Sequence, residues 1–181
     1  MPIVREIIQL VNQILDLNKQ DVLLYNKLEE FPLSYIDHDW NFNKLADLTK
    51  AQSLQSECFT VSEKSLRTDH KLRDLEGKET FRIILAPNEF LDFYSEEIAS
   101  YVLEELKTMK IVTKRELLEL KIPQQIHLKS LLSQYRKDKE QIVKNEKAVD
   151  EFERQINDLV YKLYDISYAE RRIVEDYLKK F

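Results

Sequence analysis

The sequence predicts a mainly α fold, in which two long antiparallel, coiled-coil-like terminal helices flank a small α+β insertion with a β-hairpin. Apolar residues recur at helical spacing over long stretches at both ends of the chain. The 181 residues include only one glycine, Gly77, whereas β-sandwiches and glycine-rich nucleotide-binding folds need many more turn residues. Charged residues make up 34% of the chain, which is typical of exposed helices with solvated faces.

The first terminal helix is predicted over residues 3–31, between Pro2, which suits a first helical turn, and Pro32, which ends the run. One apolar row alternates at spacings of three and four and is interrupted only by Asp21: Ile7, Leu10, Ile14, Leu17, Leu24, Leu28 and Phe31. A second row widens the stripe: Val4, Ile8, Val11, Leu15 and Val22. We therefore expect this helix to contact more than one neighbour.

The second long helix is predicted over residues 124–164, after Pro123. One row falls every seven residues: Leu128, Tyr135, Ile142, Val149, Ile156 and Leu163. Asp138 and Asn145 occupy the companion row, where polar residues weaken a helix seam or set its register. A last helix over 168–180 begins with a capping-box pattern at Ser167–Glu170.

The middle of the chain, residues 33–122, predicts a small inserted module between a stalk helix at 1–32 and a C-terminal stalk at 123–181. A short helix is expected around 43–54. Strands are expected at 58–61 and 81–85, joined as a hairpin across the polar stretch 62–80. A helix should open at Pro87 and run to about residue 107, and Thr113 should cap a short helix that ends near Leu120.

Basic residues cluster in an otherwise acidic chain. Residues 107–147 carry eleven Lys/Arg and five Asp/Glu, a net charge of +6, whereas the whole chain has a net charge of −5. Two groups of residues are candidates for contact with a polyanion. The hairpin tip offers Lys64, Arg67, Lys71 and Arg73, and the second group is Lys107, Lys110, Lys114, Arg115 and Lys121. Either group could instead be a solubilising surface.

No residue pattern indicates catalysis. Asp37-His38-Asp39 are adjacent residues whose side chains point in different directions, which suits a loop better than a metal site. The Glu-x-Lys pairs at Glu105 and Glu119 fall in helical patterns, not at the sheet edge that a nuclease uses. The single cysteine, Cys58, fits a reducing, cytoplasmic setting. The start is unlike a signal peptide, and no apolar run is long enough to span a membrane.

The two ends of the chain resemble a known family. The front, IVREIIQLVNQILDLNKQ, is similar to the helix that follows the catalytic portion of large bacterial restriction–modification proteins. The end, from Ile156 to Tyr164 (INDLVYKLY) and from Ile166 to Glu175 (ISYAERRIVE), is typical of their C-terminus. The chain thus resembles the C-terminal specificity region of a type IIG restriction enzyme with adenine-N6 methyltransferase activity, of the TaqI-like kind.

This resemblance implies a non-catalytic module that reads double-stranded DNA beside the catalytic domain of the same parent protein. S-adenosylmethionine and Mg²⁺ would be bound by that catalytic domain, because this chain lacks the Asn-Pro-Pro-Tyr motif and the glycine-rich cofactor loop. No cofactor is expected in this chain. A helical protein–protein interaction or self-association module without DNA contact is the alternative, which the wide stripe on the first helix favours.

Overall fold

The computed structural model describes residues 2–49, 53–61, 66–74 and 77–178. Six α-helices lie in these ranges: α1 (Pro2–Glu29), α2 (Leu45–Leu48), α3 (Glu96–Thr108), α4 (Lys114–Leu118), α5 (Gln125–Leu163) and α6 (Tyr168–Leu178). Seven strands lie there too: β1 (Phe42–Lys44), β2 (Cys58–Thr60), β3 (Arg67–Arg73), β4 (Glu79–Ala86), β5 (Glu89–Phe93), β6 (Ile111–Thr113) and β7 (Lys121–Pro123). The chain divides into two compact units, one of Met1–Asn26 with Asp138–Phe181 and the other of Lys27–Lys137. We call these the helical unit and the mixed unit.

The predicted fold class was wrong. Helix accounts for 62% of the chain and strand for 18%, and the described strands form three separate sheets instead of one hairpin. The chain is therefore mainly helical, with a region of small sheets between the two long helices in the sequence. The periodicity at the two ends correctly indicated long helices, but the short strands of the middle lack an alternation long enough to be recognised from sequence.

The helical unit contains most of α1, most of α5, and α6. The Asn145 amide of α5 donates a 2.7 Å hydrogen bond to the Asp21 carboxylate of α1, and both side chains are buried. After α5 the chain turns at Asp165, which has a positive φ of 51°. The Ser167 hydroxyl and backbone N–H then contact the Glu170 carboxylate at 2.6 and 2.9 Å, which forms the expected capping contacts at the start of α6. No helix in the described ranges is long and apolar enough to cross a membrane.

Antiparallel pairings in the mixed unit are nested in the sequence. The outermost sheet pairs β1 with β7, the next pairs β2 with β6, and the innermost has the order β3-β4-β5. The predicted hairpin between 58–61 and 81–85 was therefore wrong, because β2 pairs with β6 and β4 pairs with β3. Strand β3 lies inside the stretch that its polar composition had marked as a loop.

The helix predicted to open at Pro87 was also wrong in its first part. Residues 89–93 form β5, which turns back on β4 through Asn88 in the left-handed region, at a φ of 64°. Glu89, Leu91 and Phe93 are buried while Phe90 and Asp92 are only half-buried, which is the alternation of a strand. Helix α3 begins later, where the Ser95 hydroxyl accepts a hydrogen bond from the Ile98 N–H.

An apolar core fills the mixed unit. Its fully buried members come from most of the elements of this unit and include Leu45, Ile83, Leu91, Tyr101, Leu106 and Ile122. An aromatic group extends it, because the Phe31 ring lies 4.4 Å from that of Tyr135 and 5.7 Å from that of Tyr101. This core holds the short two-stranded sheets in place, since such ribbons are only marginally stable alone.

Candidate nucleic-acid interface

The first predicted group of basic residues is only partly described. Lys64 lies outside the described residues, and the side chains of Arg67 and Lys71 also lie outside the described part of β3. Arg73 lies at the end of β3 and is exposed.

In the second predicted group, three of the five lysine and arginine side chains contact other residues of the chain, and two of these three are partly buried. The Lys107 ammonium lies 2.6 Å from the Glu104 carboxylate on α3, and the Lys114 ammonium donates a 2.7 Å hydrogen bond to the Leu54 carbonyl. Both side chains are partly buried. Lys110, Arg115 and Lys121 are exposed, and of these Arg115 makes a long 3.4 Å contact with Glu119. The exposed charge available to a partner thus lies along residues 110–121.

Lys121 lies on the β1–β7 ribbon, directly opposite Lys44. Hydrogen bonds from Leu45 N–H to the Leu120 carbonyl and from Gln124 N–H to the Asn41 carbonyl extend the ladder at its two ends. Since hydrogen-bonded and non-hydrogen-bonded pairs alternate in an antiparallel ladder, Lys44 and Lys121 form a non-hydrogen-bonded pair, in which side chains approach most closely. Both are exposed, and neither makes an ion pair within the part of the chain that the structure describes.

Like charges that face each other across two strands destabilise a sheet, by about 0.2–1 kcal/mol. The buried neighbours Leu45 and Ile122 fix the register of the ribbon, so the two ammonium groups cannot separate by strand slippage. A bound anion between or above them would remove the repulsion. The pair therefore places two positive charges at facing positions of one ribbon.

The other exposed residues of the ribbon are an aromatic and an amide. Phe42 shares a face with Lys44, because strand side chains alternate, and Asn43 is also exposed. Nearby, the Trp40 and His127 rings stack at 4.3 Å with an interplanar angle of 12°. Sequence reasoning missed Phe42, Asn43 and Lys44. The helix predicted over 43–54 included Asn43 and Lys44, which lie in β1, and the described helix α2 covers only Leu45–Leu48. The local run DWNFNK, rich in aromatics and amides, was the available signal.

Helix α5 continues directly from this ribbon with basic and hydroxyl side chains. Its first turns, through residue 137, contain no acidic residue. A shallow groove on this helix is lined by Ile126, Lys129, Ser130, Ser133, Gln134 and Lys137. Lysine, hydroxyl and amide side chains are the groups that contact nucleic-acid phosphates in most complexes. We define the interface as the β1–β7 ribbon with the start of α5.

The sequence motifs considered for metal binding or catalysis are not assembled into a site. Glu105 is buried in α3, whereas Glu119 is exposed at the end of α4. Asp37, His38 and Asp39 are exposed. Among the described residues, no group of three or more His, Cys, Asp or Glu could hold a metal ion.

No family model, curated protein or solved structure matches this chain.

Proposed function

We propose that this chain is a non-catalytic DNA target-recognition module of a bacterial restriction–modification enzyme, and that it acts in the cytoplasm beside a catalytic domain that binds the cofactors. The observation that carries the proposal is the pair of like charges, Lys44 and Lys121, that face each other on the β1–β7 ribbon. A two-stranded ribbon is narrow enough to enter the major groove. The motifs at the two ends of the chain, which resemble the specificity regions of such enzymes, support the same proposal.

The residues of the proposed interface would have different roles, because their side chains differ in charge and polarity. Lys44, Lys121 and the lysines at the start of α5 would contact phosphates and position the module. Phe42, which lies on the same ribbon face as Lys44 and Lys121, offers apolar contact for a thymine methyl group. The partner is double-stranded DNA, and the net negative charge of the chain limits non-specific coating.

A charge reversal at Lys121 tests this proposal through two measurements, folding stability and DNA affinity, which should change in opposite directions. Lys121→Glu places a carboxylate opposite Lys44, so we expect the free energy of unfolding to rise by about 0.2–1 kcal/mol. The same substitution should weaken binding to a mixed-sequence 30-base-pair duplex at least tenfold in fluorescence anisotropy at low salt. The slope of log affinity against log salt should fall by about one for each phosphate that the protein no longer neutralises.

Lys162→Glu is the matched control, because Lys162 is exposed on α5 in the helical unit. It makes the same change in net charge, and we expect DNA affinity to change less than twofold. The proposal is wrong if the unmodified chain does not bind DNA at low salt, or if Lys162→Glu weakens binding as much as Lys121→Glu.

Recognition of a target, as opposed to general polyanion binding, requires a preferred sequence. Selection from a pool of randomised duplexes should enrich a motif with the unmodified chain, and Phe42→Ala should relax one position of that motif. If the pool stays random after selection, the chain binds DNA through a basic surface without recognising a sequence, and the target-recognition part of the proposal is wrong.

A further inference from the structure

We infer that Trp40 and His127 are positioning residues of the proposed DNA interface, an inference that rests on the proposed function. Their stacked rings would hold the β1–β7 ribbon and the first turn of α5 in one arrangement, without either ring touching the DNA. The ring centroids lie 4.3 Å apart at an interplanar angle of 12°, so the two rings are nearly parallel. Both side chains are half-buried, and both belong to the mixed unit.

Two backbone hydrogen bonds lie beside this stack and close a ring with it. The Gln124 N–H donates to the Asn41 carbonyl at 3.1 Å, and the His127 N–H donates to the Gln124 carbonyl at 2.9 Å. Asn41 follows Trp40 directly in the sequence. Gln124 is the one residue between the end of β7 and the start of α5. The joint between the ribbon and the helix is therefore bonded to both elements, and the stack closes the same ring from the side-chain direction.

The charged side chains of the interface lie on both sides of this joint. Lys44 and Lys121 are exposed on the ribbon, and Lys129, also exposed, follows His127 by two residues on α5. A rotation at Gln124 would change the spacing between the ammonium groups of the ribbon and the helix, whereas the phosphates of a duplex are regularly spaced. Because the stack opposes this rotation, it would reduce the conformational freedom that the interface loses on binding.

The contribution of the stack to folding should be small compared with that of the core. Fully buried side chains such as Leu45 and Leu128 hold the elements on either side of the stack in the mixed unit. An aromatic pair adds only a modest stabilisation to the surface that its rings already bury. We therefore expect the mixed unit to fold without the imidazole ring, so that an effect on DNA binding can be measured separately.

Substitutions of His127 separate a positioning role from direct contact with DNA. In His127→Ala the affinity for a mixed-sequence duplex should fall about three- to tenfold, because the ribbon and the helix must be ordered on binding. The slope of log affinity against log salt should stay unchanged, since no phosphate contact is removed. His127→Phe keeps a ring that can stack but has no charge or hydrogen-bonding nitrogen, and it should restore the affinity.

His38→Ala is the matched control, because His38 is an exposed histidine two residues before Trp40. It removes the same type of side chain from the neighbouring loop, and we expect the affinity for the duplex to stay unchanged.

Tryptophan fluorescence measures the stack directly, because Trp40 is the single tryptophan of the chain. Without DNA, His127→Ala should lower the steady-state anisotropy of the Trp40 emission, since the indole ring gains freedom, and His127→Phe should restore it. Far-UV circular dichroism should be the same for the unmodified chain and all three variants. If His127→Ala unfolds the chain, the stack is an element of the core and the positioning role is wrong.

The outcomes distinguish a failure of this role from a failure of the proposed function. If the unmodified chain does not bind the duplex at low salt, both are wrong. If the unmodified chain binds and His127→Ala binds equally tightly, or His38→Ala weakens binding as much, only the positioning role is wrong. A salt slope that falls by about one in His127→Ala, with no rescue by His127→Phe, would instead make His127 a phosphate contact.

Discussion

The two units of this protein differ in the side chains that they bury. In the mixed unit, Lys27–Lys137, a continuous apolar core is drawn from most helices and strands. In the helical unit the described buried residues are three apolar ones, Leu10, Ile142 and Leu159, and three polar ones, Asp21, Asp138 and Asn145. The mixed unit has the larger apolar core, whereas the helical unit buries as many polar as apolar side chains among its described residues, and both units leave some large apolar side chains exposed. The thinner interior of the helical unit accompanies open apolar side chains on α1, such as Ile8 and Leu15.

Two matched substitutions, each of a buried leucine by alanine, test this difference between the units most strongly. Leu91 in β5 is fully buried in the mixed unit, and Leu10 in α1 retains some exposure in the helical unit. We expect Leu91→Ala to lower the free energy of unfolding by about 3–4 kcal/mol and Leu10→Ala by about 2 kcal/mol, since a residual cavity costs more where the surroundings cannot relax. Urea denaturation at one fixed protein concentration measures both. A larger effect at Leu10 would contradict the comparison.

The mixed unit also contains an acidic group, Glu105, whose charged form is destabilised by burial in the apolar core. Burial raises the pKa of Glu105 in α3 to about 7. Below pH 4.5 this carboxyl is protonated in both folded and unfolded chains. As pH rises from 4.5 to about 7, only the unfolded chain releases the proton, so folding stability falls by about 3 kcal/mol in total.

Glu105→Gln should remove this decline, because the amide does not titrate. Thermal denaturation of both chains between pH 4.5 and 8 gives the difference, which should grow with pH and level off above about 7. Carboxylates whose pKa is lowered, such as Glu89 and Glu116, make the fold less stable as the pH falls in a more acidic range. They are present in both the unmodified chain and the variant, so they do not contribute to the difference. A constant difference across this range would show that Glu105 ionises normally.

The polar seam of the helical unit should give a smaller effect. Asn145→Leu removes the hydrogen bond to Asp21 and leaves a buried carboxylate without that donor, so we expect a loss of about 2 kcal/mol. Because the penalty comes from the unpaired carboxylate, the double substitution Asp21→Leu with Asn145→Leu should recover most of the loss. If the double variant is as unstable as the single one, the loss of stability does not come from the unpaired Asp21 carboxylate.

The parts of the fold that could be predicted from sequence are those fixed by local periodicity. The expected helices at 3–31 and 124–164 differ from α1 and α5 by one or two residues at each end. The capping pattern at Thr113 forms as expected, with the Thr113 hydroxyl accepting from the Glu116 N–H. Each of these features depends on residues within a few positions of one another.

The strand pairings could not be predicted because they depend on distant residues. Three-residue strands such as β1 and β6 are too short to show a period of two. Their partners lie tens of residues away, so composition near Phe59 carries no information about Val112, its cross-strand neighbour. For the same reason the sequence pointed to Lys121 but not to Lys44, which becomes its neighbour only when β1 meets β7.

Nesting of the strand pairs separates the register of the outer ribbon from the lengths of the connections that it encloses. The β3-β4-β5 sheet lies between β2 and β6 in the sequence, and these two lie between β1 and β7. The cost of closing a loop rises only slowly with its length, so the connection between β3 and β4 can lengthen or shorten without shifting the outer register, whereas core residues such as Ile83 and Leu91 must stay.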